Sequence, residues 1–175
     1  MSKNISIKIE GGKEWASKIK DVLQKYANHE AHVGVLGGTY DDGTSIALVG
    51  AEHEFGSFKE RIFNYKGKTI KIKGYPSRSW ARVPLHRAGK KILGEKGMIK
   101  KMIELDCQHG YTGVALKYMG NNGKELMRQE FLTSGQGTWP RNMSAEYVEA
   151  KGHDTPLRDG DTLMNSIDSE VVKGQ

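Results

Sequence analysis

Cysteine is all but missing from this chain. Cys107 stands alone, so no internal disulfide can staple the fold, and its stability has to come from packing and hydrogen bonds. Proline is scarce, at 4 of 175 residues, and no low-complexity linker is present. No apolar run approaches the roughly 20 residues that cross a bilayer. The opening Met1–Asn4 leads into Ile5-Ser6-Ile7-Lys8-Ile9, which is too short and too polar for a secretory signal. The expectation is a chain made in the cytoplasm with no membrane partner. The Gly-Lys-Ser/Thr of a phosphate cradle is absent. Gly34, Gly37 and Gly38 follow a strand-like run without completing a dinucleotide fingerprint.

Glycine is abundant, with 22 residues, which implies many turns. The length suits one domain spanning residues 1–175 and is short for two. Apolar periodicity outlines its elements. Ile5, Ile7 and Ile9 alternate as in a half-buried strand, and His32–Gly37 reads as another. Trp15, Ile19, Val22, Leu23 and Tyr26 form a helical stripe expected to pack into the core. Ser45 or Thr44 is placed to cap a helix through Ile46, Leu48, Val49 and Phe55, ended by Gly56, with Gly50 weakening its middle. Arg61–Lys73 reads as a hairpin, part of a protruding stretch over residues 58–75. Helix is expected from Trp80 to Ile92, with Pro84 either near its first turn or kinking it, and again from Met98 to Cys107. Leu116, Met119, Leu126, Met127 and Phe131 keep phase across Asn121-Asn122-Gly123, which favours a single helix. A glycine-rich loop follows over residues 133–143, then a short helix at Ser144–Ala150, a last short helix or turn at Leu163–Ile167, and a strand at Glu170–Val172. The fold class expected is α+β: a small mixed or antiparallel sheet packed by helices, with an extended hairpin and a long helical middle.

Charge is unevenly spread. Lys59–Lys101 holds fourteen Lys or Arg against two Glu, whereas Ser144–Gln175 holds three against seven Asp or Glu. Such a distribution points to nucleic acid or to neighbouring copies meeting pole to pole, the plain alternative being a solvated surface with some bias. Lys66, Lys68, Lys71 and Lys73 lie beside Phe63, Tyr65 and Tyr75, the pairing that tracks phosphates and stacks on bases. With Arg78 and Arg82 they are the candidate partner- or DNA-facing residues.

Candidates for catalysis do not converge. His29, Glu30 and His32 sit at a helix-to-strand junction that does not suit a metal. His53 between Glu52 and Glu54 resembles the start of a zinc-protease motif, but no second His follows at the required spacing. A small hydrolase using His53 and Glu54 is the weakest reading. Cys107 near His109 reads as a small buried hydrophobe, and Asp159 and Asp161 as turn chemistry without the ligand spacing of a calcium loop. No catalytic residue, metal or cofactor is expected.

Three ordered blocks carry a resemblance. The first is Val33-Gly34-Val35-Leu36, Ile46-Ala47 and His53-Glu54-Phe55-Gly56. The second is Pro76-Ser77-Arg78-Ser79-Trp80 with Arg82 and Pro84. The third is Gly137-Thr138-Trp139-Pro140, Lys151–Leu157, Asp159 and Leu163-Met164-Asn165-Ser166-Ile167. In this order they resemble the tail-completion or neck proteins of long-tailed bacteriophages and the related virion-morphogenesis proteins. The resemblance implies a non-enzymatic virion protein, made in the host cytoplasm and placed at the head–tail junction. It further implies a hexameric or dodecameric ring of copies. That ring would bridge the connector or a head-completion protein to a tail-terminator or tail-tube protein, around a channel that carries DNA. His53, Glu54, Phe55, Gly56, Pro76, Pro156, Leu157, Asp159, Leu163, Ser166 and Ile167 are then structural motif residues. The rival reading is a nucleic-acid-binding module that uses the basic hairpin.

Overall fold

The computed structural model describes residues 12–174 except 66, 73, 75, 96, 142, 144, 158 and 159, and leaves the side chains of Arg61, Phe63, Tyr65 and Ile72 undescribed. The expected strand at Ile5–Ile9 and the residues Lys66, Lys73, Tyr75 and Asp159 therefore lie outside the described residues. The fold is mixed α+β, with a small antiparallel sheet packed against helices.

Helix α1 (Gly12–Ala27) leads into β1 (His29–Val35), then α2 (Ile46–Phe55) and the hairpin strands β2 (Arg61–Tyr65) and β3 (Lys68–Ile72). The helices α3 (Arg82–Arg87), α4 (Gly89–Ile92), α5 (Met98–His109) and α6 (Val114–Leu132) form the long middle. The chain closes with α7 (Ala145–Lys151), α8 (Thr162–Asn165) and β4 (Ile167–Lys173). β1 and β4 pair antiparallel from His29 opposite Lys173 to Val35 opposite Ile167, and β2 pairs with β3 as a separate two-stranded sheet.

α6 is the spine of the molecule. The Asn121-Asn122-Gly123 step favours a turn locally, yet the helix runs through it because the sheet needs the small residues there. A Cβ built on Gly120 would come within 3.1 Å of Ser169, and one on Gly123 within 3.2 Å of Val33. The two glycines let β1 and β4 lie close on α6. Met127 and Phe131, further along the same side, enter a core with Ile46, Trp80, Trp139, Leu163 and Ile167.

α2 has the boundaries its sequence implied. Ser45 Oγ accepts the Leu48 N–H at 3.3 Å, and Gly56 ends the helix at φ 82°, where L side chains are disfavoured. Gly50 is more than a weak point in that helix. It is buried, its carbonyl accepts the Trp80 indole N–H at 2.9 Å, and an added Cβ would lie 3.0 Å from Trp80 Cζ2 and 3.1 Å from Leu163 Cδ1. Gly50→Ala gains about 1 kcal/mol of helix propensity but presses on a tryptophan fixed by its own hydrogen bond. We expect a net loss of about 1 kcal/mol, read by urea denaturation; a more stable variant would show that Trp80 can shift freely.

Several boundaries differ from expectation. β1 starts at His29, because Glu30 and Ala31 pair with Val172 and Val171. Ile167 opens β4 instead of ending a helix, and α8 stops at Asn165. The helix expected from Trp80 to Ile92 is two pieces broken at Ala88 (φ −111°, ψ 20°), with Trp80 ahead of the first. Pro84 falls in the opening turn of α3, where its missing N–H is not needed. The stripe of α1 is not a core element throughout: among the described residues only its Val22 is buried, while Trp15 is 62% and Leu23 49% exposed. The hairpin does not stand free along β3, because Ile70 is buried and Lys68 Nζ reaches Glu149 of α7 at 2.9 Å.

α1 is held instead by a polar anchor at its C-terminal end. The Tyr26 hydroxyl donates to Asp106 Oδ2 at 2.7 Å. Asp106, buried at the end of α5, also accepts the Thr112 N–H at 2.9 Å, the Thr112 hydroxyl at 2.7 Å and the Gly113 N–H at 3.1 Å. Burial alone would raise its pKa, but the Thr112, Tyr26 and Gly113 donors outweigh burial and hold the carboxyl below its ordinary value. Because the folded pKa is depressed, the contribution is fully present above the unfolded value of about 4 and is lost as pH falls through the folded one. Asp106→Asn should flatten the acid limb of stability below about pH 4 and destabilise the chain at neutral pH. Denaturation midpoints measured across pH check this, and an unchanged acid limb would contradict it.

Candidate docking surface around a buried carboxylate

The first two sequence blocks meet at Glu54, and Arg78 joins them to the third. Glu54 lies in the last turn of α2 and is 5% exposed. Its Oε2 accepts the N–H groups of Trp80 at 2.8 Å and Ala81 at 2.9 Å, and its Oε1 accepts the Arg82 N–H at 3.2 Å and the Ser79 hydroxyl. One carboxylate thus gathers the donors at the entry to α3, where helical N–H groups have no partner of their own. Ser79 Oγ in turn accepts the Val83 N–H at 3.0 Å. Ser77 donates to the Glu54 carbonyl at 2.5 Å, and the Arg78 N–H donates to the His53 carbonyl at 2.8 Å.

Arg78 corrects an expectation. It does not face a partner or DNA: it is 4% exposed, and its Nε donates to the Pro140 carbonyl at 3.1 Å. The guanidinium thereby ties the second block to the Gly137–Pro140 part of the third. Beneath it, Phe131 lies edge-on to Trp139, with ring centroids 5.5 Å apart, and tilted on Trp80 at 5.7 Å. Leu163, Ile167 and Pro156 are buried in the return of the chain, Leu157 packs on the core, and Ser166 Oγ donates to the Thr162 carbonyl at 2.8 Å.

The rim of this hub is exposed and apolar. Leu48 and Phe55 lie seven residues apart on one side of α2 and are 58% and 68% exposed, while Phe58, just past Gly56, is fully exposed. Arg82 stays at the surface. Its guanidinium carbon is 5.8 Å from the centroid of the Phe55 ring, and its Nε is 3.7 Å from Glu54 Oε1. Large exposed apolar side chains gathered with an arginine are characteristic of protein-binding surfaces. From sequence Leu48 was only an apolar position of this helix and Phe58 was not singled out, because their exposure depends on what the rest of the fold leaves uncovered.

Chemistry has little to work with here. Both Glu54 oxygens are taken up by buried donors, so the carboxylate is not presented to a substrate beside His53. Glu30 and His32 share one side of β1, 3.2 Å apart, whereas His29 points the other way, toward the Tyr111 ring. Among the described residues no group of three His, Cys, Asp or Glu is placed to hold a metal, and no helix is long and apolar enough to cross a membrane. Cys107 is half-buried in α5 and His109 exposed at its end. Within the hairpin, Lys68 pairs with Glu149 and Lys71 with Glu60, each at 2.9 Å. Of these pairs, Lys68–Glu149 joins the basic middle to the acidic C-terminal part within one chain, and Lys71–Glu60 lies inside the middle.

Compared with protein-family models, with curated proteins and with solved structures, the chain has no match in any of the three.

Proposed function

We propose that the chain is a structural assembly protein of a tailed-phage virion, joining head to tail as one of several copies around the junction. The observation that carries this reading is the convergence at Glu54. Glu54 binds the first block to the second and Arg78 binds the second to the third, and the surface over this hub presents Leu48, Phe55, Phe58 and Arg82 outward. Motif residues used this way suit a docking surface, because the Glu54 carboxylate is taken up by Ser79 and the N–H groups at the entry to α3. The connector, or the tail protein that meets it, is the partner this surface would take.

The nucleic-acid reading has less support. Lys68 and Lys71 each engage a carboxylate of the same chain, and Arg78 is buried. Phe55→Ser with Phe58→Ser tests the docking surface without touching the hub. The variant should keep its circular dichroism and lose joined particles, counted by electron microscopy, by about tenfold or more, since exposed aromatic anchors dominate interface energies. Normal joining by the folded double variant would remove the surface from the account.

A further inference from the structure

We propose that copies of this chain associate head to tail, the acidic open face of the β1–β4 sheet in one copy seating on the lysine-bearing α4 of the next. The inference deepens the assembly reading by naming the contact between copies. Ala31, Val33 and Ser169 lie against Gly120 and Gly123 of α6. Side chains alternate along a strand, so Glu30, His32, Asp168, Glu170 and Val172 project from the opposite face. In the register, His32 stands opposite Glu170 and Glu30 opposite Val172. Glu30, His32, Asp168 and Glu170 are exposed. Lys124 reaches Asp168 from α6 at 2.7 Å, but Glu30 and Glu170 have no Lys or Arg partner among the described residues.

The opposite charge sits on the other side of the same helix. Asn122 Nδ2 donates to the carbonyls of Lys91 at 3.4 Å and Ile92 at 3.0 Å. Two residues along a helix is about 200° of rotation, so α4 packs on the side of α6 turned away from the sheet. Lys90 and Lys91 are exposed there, without an ion pair among the described residues, and Leu93 beside them is 53% exposed. A two-fold dimer through either face would set like charges against each other. Translating one copy onto the next brings carboxylates to lysines and Val172 toward Leu93. Such a contact is heterologous, and it closes into a ring when the rotation between copies allows.

Sedimentation of the full chain in low and high salt, with two charge-reversed variants, tests this. The wild type should self-associate, and more weakly as salt screens the contact. Glu30→Lys with Glu170→Lys, and separately Lys90→Glu with Lys91→Glu, should each weaken association by about a hundredfold. An equimolar mixture of the two variants should restore it, because every contact then joins opposite charges. A single chain carrying all four substitutions should also associate. A monomeric wild type, association that ignores salt, variants that associate as the wild type does, or a mixture that stays apart would each overturn the proposal. Circular dichroism separates misfolding from lost contact. If the contact holds in solution while head–tail joining proceeds without the chain, the assembly reading fails and the interface stands. If joining needs the chain yet tolerates both variants, the interface fails alone.

Discussion

Glu54→Ala is expected to destabilise the protein by about 3–5 kcal/mol, because it leaves the N–H groups of Trp80, Ala81 and Arg82 and the Ser79 hydroxyl without their acceptor in a site closed to water. A domain of this size has only about 5–15 kcal/mol in total, so the variant would sit near the folding threshold. Glu54→Gln keeps the shape and one acceptor oxygen but turns an amide NH2 toward N–H donors, and should lose about half as much. Urea titration of both variants checks the order. A loss below about 1 kcal/mol for Glu54→Ala would mean that water or a neighbouring carbonyl replaces the carboxylate.

Phe131→Ala is the second large effect. The ring is 0% exposed and lies between Trp80 and Trp139, so its removal opens a cavity that two indoles cannot close without leaving their own contacts. The expected cost is about 3–5 kcal/mol. Trp80 and Trp139 should also shift to longer-wavelength fluorescence as they gain water. Trp15→Ala is the matching control: that indole is 62% exposed, and its loss should cost under about 0.5 kcal/mol. Equal losses at the two positions would contradict the core described above.

Elements set by neighbouring residues were legible in the sequence. Ser45 and Gly56 delimit α2 through contacts a few residues long, and the stripe ending at Phe131 carried α6 across a turn-prone step. What was not legible depends on distant partners. Arg78 looks like a surface cation until Pro140, 62 residues further along the chain, supplies its carbonyl. Trp15 looks like core until the fold leaves it uncovered. Gly50 reads as a helix defect until Trp80 and Leu163 close on it. Asp106 carried no motif: Thr112 is only six residues on, but Tyr26, the partner that makes it an anchor for α1, lies 80 residues back. The candidate site was half visible for the same reason. Its motif residues could be named, but not that they spend their polar groups on one another and turn Phe55, Phe58 and Leu48 outward.

Under the proposed assembly function, the most direct measurement of the central claim is electron microscopy of lysates from a tailed phage in which this reading frame is stopped early, with the wild-type chain supplied from a plasmid as the control. The account predicts separate DNA-filled heads and finished tails without the chain, and joined particles when it is supplied. Joined, infectious particles in its absence would contradict it.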